Sequence, residues 1–124
     1  MEFQKDNSFI SGRLKSVSFA VKGAVKLITT EHSIMVQFFL GILMTIVGFL
    51  MHITTTEWLF QTLAIGLVMS IEGINTAVEK IADFIHPNFH EKIGFIKDIA
   101  AGAVFFAALT AVAIGLIIYV PKFL

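Results

Sequence analysis

From Met35 to Met51 the chain runs seventeen residues without a charge, and from Ile99 to Val120 it runs twenty-two. A helix rises about 1.5 Å per residue, so roughly 20 apolar residues cover a bilayer core about 30 Å thick. Both stretches are long enough to span, and nothing constrains the possible folds more. A third candidate starts at Trp58, is uncharged as far as Ile71, and continues in helical pattern through Glu72, Asn75, Glu79 and Asp83 until His86-Pro87 stops it. Over 58–84 it would be about 40 Å long and would overshoot the membrane at one end. The whole composition agrees. Charged residues make up 15% of the 124 and hydrophobic ones 56%, against about 25% and 45–50% in soluble domains. The expected architecture is an all-α membrane protein of one domain, 1–124, with spans at about 34–52, 58–84 and 98–120.

The absence of cysteine excludes a disulfide-stapled domain and a zinc finger with cysteine ligands. Nine basic residues balance nine acidic ones, which argues against a nucleic-acid binder. The first thirty-odd residues are not a signal peptide, because their apolar residues are dispersed. Over about 13–31 they have helical period instead. Lys15, Lys22 and Lys26 fall on one side and Val17, Val21, Ala24 and Ile28 on the other, the pattern of an amphipathic helix in the membrane surface. Lys5, Arg13, Lys15, Lys22 and Lys26 precede the first span, none lies in the connection before Trp58, and Lys80, Lys92 and Lys97 follow the second. By the positive-inside rule the N-terminus and the second loop are cytoplasmic.

Chemistry is expected where polar groups interrupt apolar helix. Glu72, Asn75, Glu79 and Asp83 lie within about 80° of one helix face at 100° per residue. Ionisable groups inside a span are costly and mark function by default. With only two other spans and a surface helix to cover it, a single protomer is expected to leave Glu72 open to lipid and to need a neighbour as a shield. With Trp58 at the outer interface, Glu72 lies about 21 Å inward, some 9 Å short of the cytoplasmic edge, and Glu79 is near that edge. A carboxylate just inside the hydrocarbon suits a general base acting on a lipid headgroup. Glu31 and Glu79 are hard oxygen donors that could hold Mg²⁺, and Lys97, read as a helix start, could hold phosphate. Spacing alone leaves the blander readings open, Glu31 as a helix-end charge and Lys97-Asp98 as an interface anchor. His32 and His52 read as interface residues, and His86 and His90 stay undecided. No phosphate loop, dinucleotide fingerprint or protein-kinase motif is present.

Glu72-Gly73-Ile74-Asn75-Thr76-Ala77-Val78-Glu79, then Asp83, then Lys97-Asp98-Ile99-Ala100-Ala101-Gly102-Ala103, resembles the signature of the prokaryotic integral membrane diacylglycerol kinase and undecaprenol kinase family. The resemblance extends from about Arg13 to the end of the third span. It implies a homotrimer in the bacterial inner membrane, each protomer carrying a surface helix and three spans, with active sites shared between neighbours. It implies ATP and a lipid alcohol as substrates and Mg²⁺ as the cofactor. By the same resemblance Glu72 is the catalytic base, Glu31 and Glu79 are metal ligands, and Asn75, Asp83, His90, Lys97 and Asp98 face the nucleotide.

Three positions depart from the pattern: Phe19 and Phe89 stand where tyrosine is frequent, and Gly12 stands where some members carry arginine. The Asn75-Thr76-Ala77 and Ala100–Ala103 runs resemble the undecaprenol kinase branch more than the diacylglycerol branch. The alternative is a small oligomeric proton- or cation-coupled transporter using Glu72. Such a protein has no need of Glu31, Lys97 and Asp98 at the cytoplasmic boundary.

Overall fold

The computed structural model describes residues 9–124. Lys5, counted above toward orientation, lies outside them, as does the start of the 1–124 domain. Four helices follow in order: α1 (Phe9–Thr30), α2 (His32–Leu50), α3 (Thr55–Ile85) and α4 (Glu91–Phe123). The described residues contain no strand. Helices α2, α3 and α4 are each long and apolar enough to cross a membrane. Their 19, 31 and 33 residues give α3 and α4 lengths of about 46 and 50 Å, so both overshoot a bilayer core.

Helix ends differ from the apolar runs because polar caps, not hydrophobicity, set them. Thr54 and Glu57 form a capping box. The Thr54 hydroxyl accepts the Glu57 N–H at 3.2 Å and Glu57 Oε1 accepts the Thr54 N–H at 2.9 Å, satisfying two donors that a helix start leaves free. This begins α3 three residues before Trp58. His90 does the same for α4, its Nδ1 accepting the Lys92 N–H at 3.1 Å. Glu31 is the extended residue (φ −107°, ψ 116°) between α1 and α2.

Helix α3 is the centre of the protomer, packed most extensively on α4 and less on α2, while α1 packs on α2. Its buried residues, Gln61, Ala64, Val68, Glu72, Asn75, Thr76 and Ala82, follow the three-and-four spacing of one helix face. Large apolar side chains such as Phe39, Leu63, Phe106 and Ile117 point outward, as a lipid-facing surface requires. No residue of α1 is buried. Val17 and Val21 are 61% and 56% exposed, so the protomer itself does not cover the apolar side of this helix.

The α2–α3 turn is tight. His52 adopts φ 51°, the left-handed region that non-glycine residues visit sparingly. Trp58 folds back over Gly48, with its ring 4.8 Å from that of Phe49. A Cβ on Gly48 would stand 2.7 Å from Trp58 Cη2 and 3.0 Å from Ile53 Cδ1, whereas one on Gly66 would meet nothing within 4 Å. Gly48→Val should therefore cost about 1–3 kcal/mol by overpacking, and Gly66→Val should not clash. Thermal unfolding in detergent checks both; equal melting temperatures would show that the indole yields freely.

Candidate active site

The acidic residues continue the face by which α3 packs inside the protomer. Glu72 is 8% exposed, held on a helix turn where Thr76 Oγ1 donates to its carbonyl at 3.1 Å. The expectation that Glu72 needs a neighbouring protomer as its shield from lipid is corrected here. The described chain buries it alone, because α3 sits between α2 and α4 rather than at an edge.

One turn further along α3, Asn75 Nδ2 donates to Glu79 Oε1 at 3.3 Å. Asn75 Oδ1 is the buried side-chain oxygen among the described residues that lacks a hydrogen-bond partner. Leaving such a group unpaired costs about 1–3 kcal/mol, so a donor or cation is wanted there. Glu79 is exposed. The stripe thus passes from a buried carboxylate through a half-satisfied amide to an exposed carboxylate.

Two further groups of charges flank this end. Lys97 Nζ donates to Asp83 Oδ1 at 2.5 Å, tying α4 to α3, and Asp98 is exposed beside it. The expectation that Lys97 opens a helix does not hold. Helix α4 starts at Glu91, so Lys97 is about 9 Å along it, past the first turn where the helix dipole attracts anions. Lys97 can meet phosphate only through its own ammonium. On the other flank Glu31 Oε1 lies 3.4 Å from Lys80 Nζ. Lys80 is one residue beyond Glu79 and so about 100° around α3. A Cβ on Gly73 would stand 3.2 Å from Leu27, so the end of α1 passes beside α3 here. Within one protomer Glu31 faces Lys80 rather than joining the stripe.

His90 spends its Nδ1 on the α4 cap and stands edge-on to His86 at 5.2 Å between ring centres. His86 Nδ1 and the Asn88 carbonyl are 2.7 Å apart. His32 opens α2, and His52 sits in the opposite turn. No group of three or more histidine, aspartate or glutamate side chains converges among the described residues. What is brought together is a pair of hard oxygen donors, Glu79 and Asn75, with Asp83 and Lys97 alongside.

Residues 18–119 match the family described as prokaryotic diacylglycerol kinase. The chain belongs to this family. Among its relatives, an undecaprenol kinase of Bacillus subtilis is 35% identical over 108 residues, covering 87% of this chain and 88% of the relative. A diacylglycerol kinase of Synechocystis is 31% identical over 112 residues, covering 90% of this chain and 64% of the longer relative. A diacylglycerol kinase of Haemophilus influenzae is 28% identical over 94 residues, 76% of this chain and 80% of the relative. This family member is therefore a lipid kinase of the membrane, with a nucleotide as the other substrate, and the transporter alternative falls away.

Sequence reasoning missed the polar contacts of this kinase at the other end of the bundle. Gln61, 5% exposed, donates from Nε2 to the Met44 carbonyl at 2.9 Å and accepts the Tyr119 hydroxyl at 2.5 Å. Lys122 Nζ lies 3.1 Å from Glu57 Oε1. A glutamine in an apolar run was the available signal for the first, since a polar side chain at that depth needs partners. The Thr54-Thr55-Thr56-Glu57 string was the signal for the cap.

Proposed function

We propose that the protein transfers the γ-phosphate of ATP to the hydroxyl of a membrane lipid alcohol in a Mg²⁺-dependent reaction, with undecaprenol preferred over diacylglycerol. The observation that carries this reading is the depth sequence on one face of α3: Glu72 buried, Asn75 with an unpaired oxygen, Glu79 exposed. Such a face lets a lipid hydroxyl and a water-borne phosphate meet at the membrane boundary. The preference for undecaprenol rests on the Asn75-Thr76-Ala77 run and on the likeness to the Bacillus enzyme.

In the proposed reaction Glu72 accepts the hydroxyl proton as the lipid oxygen bonds to the γ-phosphorus and ADP leaves. The donor set fits Mg²⁺, a hard ion that takes one or two protein carboxylates and completes its shell with water and phosphate. Glu79 and Glu31 would hold it, with Asn75 Oδ1 beside them. The lysine on Glu31 is no obstacle, since the Lys80 side chain is 70% exposed and such surface pairs are worth about 0–1 kcal/mol. Mg²⁺ would neutralise charge on the transferring phosphoryl group. Lys97, released from Asp83, supplies a cation for phosphate, and Asp98 and His90 lie toward the nucleotide. Phe19 and Phe89 offer no hydroxyl to it.

In this reading the protein is multi-pass in the bacterial inner membrane with a cytoplasmic N-terminus, and α1 rests on the membrane surface. Three protomers associate and share sites. Support comes from Glu31, which faces Lys80 in its own protomer, and from Ala101, Gly102 and Ala103, a small-residue stretch open to a neighbouring helix. Mixing a Glu72→Gln protomer with a Glu31→Gln protomer should then restore part of the activity. No recovery despite demonstrated subunit exchange would assign each site to one protomer. The reaction itself is tested by incubating purified protein with labelled ATP, Mg²⁺ and a panel of lipid alcohols. Label in undecaprenol above diacylglycerol is expected, the reverse order would overturn the branch, and no label in any alcohol would overturn the kinase reading.

A further inference from the structure

The face of α3 that carries Glu72 also lines a cavity. Toward the outer end Val68, Ala64 and Gln61 lie within about 80° of Glu72 at 100° per residue. Beside them α2 and α4 stand back from α3 and leave about 440 Å³, walled by Leu40 and Met44 of α2 and by Ala111 and Ile118 of α4. Small residues on α4, Ala108, Ala111 and Gly115, keep the space from closing.

Gln61 marks its outer end. There its side chain bridges the Met44 carbonyl and the Tyr119 hydroxyl, a crossbar joining all three spanning helices. The cavity wall on α3 ends at Val68, one helix turn short of Glu72. Glu72 is eleven positions along α3 from Gln61, about 16 Å. The volume falls within the roughly 300–1,000 Å³ of ligand sites, and apart from Gln37 and Gln61 every residue lining it is apolar, which suits an apolar occupant.

We infer that this cavity holds the apolar tail of the lipid acceptor, its first isoprenoid or acyl segment lying along α3 with the hydroxyl at the Glu72 carboxylate. The inference rests on the proposed role of Glu72. Charge selects the occupant. A phospholipid seated here would bring its anionic phosphate against Glu72, whereas a neutral alcohol brings a donor. A tail longer than the cavity leaves sideways between α2 and α4.

Gly115→Leu tests the inference, because a Cβ there meets no atom within 4 Å and the side chain grows into the cavity without striking protein. Gly66→Leu is the control: its Cβ is equally free but it lines a shallow depression with Trp58 and Leu63 instead. Gly115→Leu should raise the KM for undecaprenol roughly tenfold or more, by the weight of a methylene or more in an apolar pocket, with the KM for ATP unchanged. Gly66→Leu should change neither. An unchanged lipid KM in Gly115→Leu overturns the tail site.

A second measurement needs no variant. Wild-type protein in nanodiscs is irradiated with a polyprenol carrying a diazirine on its second isoprene unit. Adducts on Met44 or Ile118 support the inference, and adducts confined to Phe39, Phe106 or Ile117 overturn it. Crosslinking requires no turnover. Wild-type protein that phosphorylates no alcohol would sink the role of Glu72 alone, and outer-face adducts from an active enzyme would sink the tail site alone.

Discussion

Glu72→Gln should reduce turnover by about 10²–10⁴-fold, the contribution of a positioned general base, while nucleotide binding stays close to wild type. The amide keeps the shape of the carboxylate but cannot accept the lipid proton. Folding should survive, because α3 already carries the amides of Gln61 and Asn75 at 5% and 9% exposure on the same face. Loss of kcat without loss of ATP affinity would separate a chemical role from a structural one. Turnover above about a tenth of wild type would remove Glu72 as the base.

The second large effect is on the metal. Glu79→Gln and Glu31→Gln should each raise the Mg²⁺ concentration for half-maximal activity on the order of tenfold or more, since even outer-shell partners of a metal contribute about 10–100-fold in affinity. Neither change should unfold the protein. In Glu79→Gln the new amide oxygen would still accept from Asn75 Nδ2, whose bond now ends on Glu79 Oε1 at 3.3 Å, and Glu31 gives up only a pair with the exposed Lys80. A Mg²⁺ titration of initial rates decides it, and coincident curves for wild type and both variants would make these carboxylates structural.

How much of this was legible in the sequence follows from what each signal measures. Charge-free runs report transfer from water to hydrocarbon, so they located three spans but placed the start of α4 near Lys97 rather than at Glu91. Residues 91–97 belong to the helix through the His90 cap, which contributes no hydropathy. The stripe from Glu72 to Asp83 was readable because helical period alone puts those residues on one face. Which way that face turned was not. Burial of Glu72 depends on the seating of α3 between α2 and α4, and the partners of Gln61, 17 and 58 residues away in sequence, have no local signature.

The Gln61–Tyr119 contact has a mechanical side. It acts with Asp83–Lys97 near one end of α3 and Glu57–Lys122 at the other, so the α3–α4 pair is pinned at three levels. Sliding one helix by a single turn, about 5.4 Å, would break every pin at once. The pair behaves as a stiff beam, free to tilt as a unit but not to shear. Among the described residues, helix α2 is joined to that beam near the turn at His52 by the Gln61 bond to the Met44 carbonyl and the Phe49–Trp58 ring contact, and at its far end by the ion pair of its N-cap Glu31 with Lys80. Any breathing of the bundle wide enough to admit or release a lipid by a swing of α2 about that turn must therefore first part the Glu31–Lys80 pair, with the beam as the fixed frame.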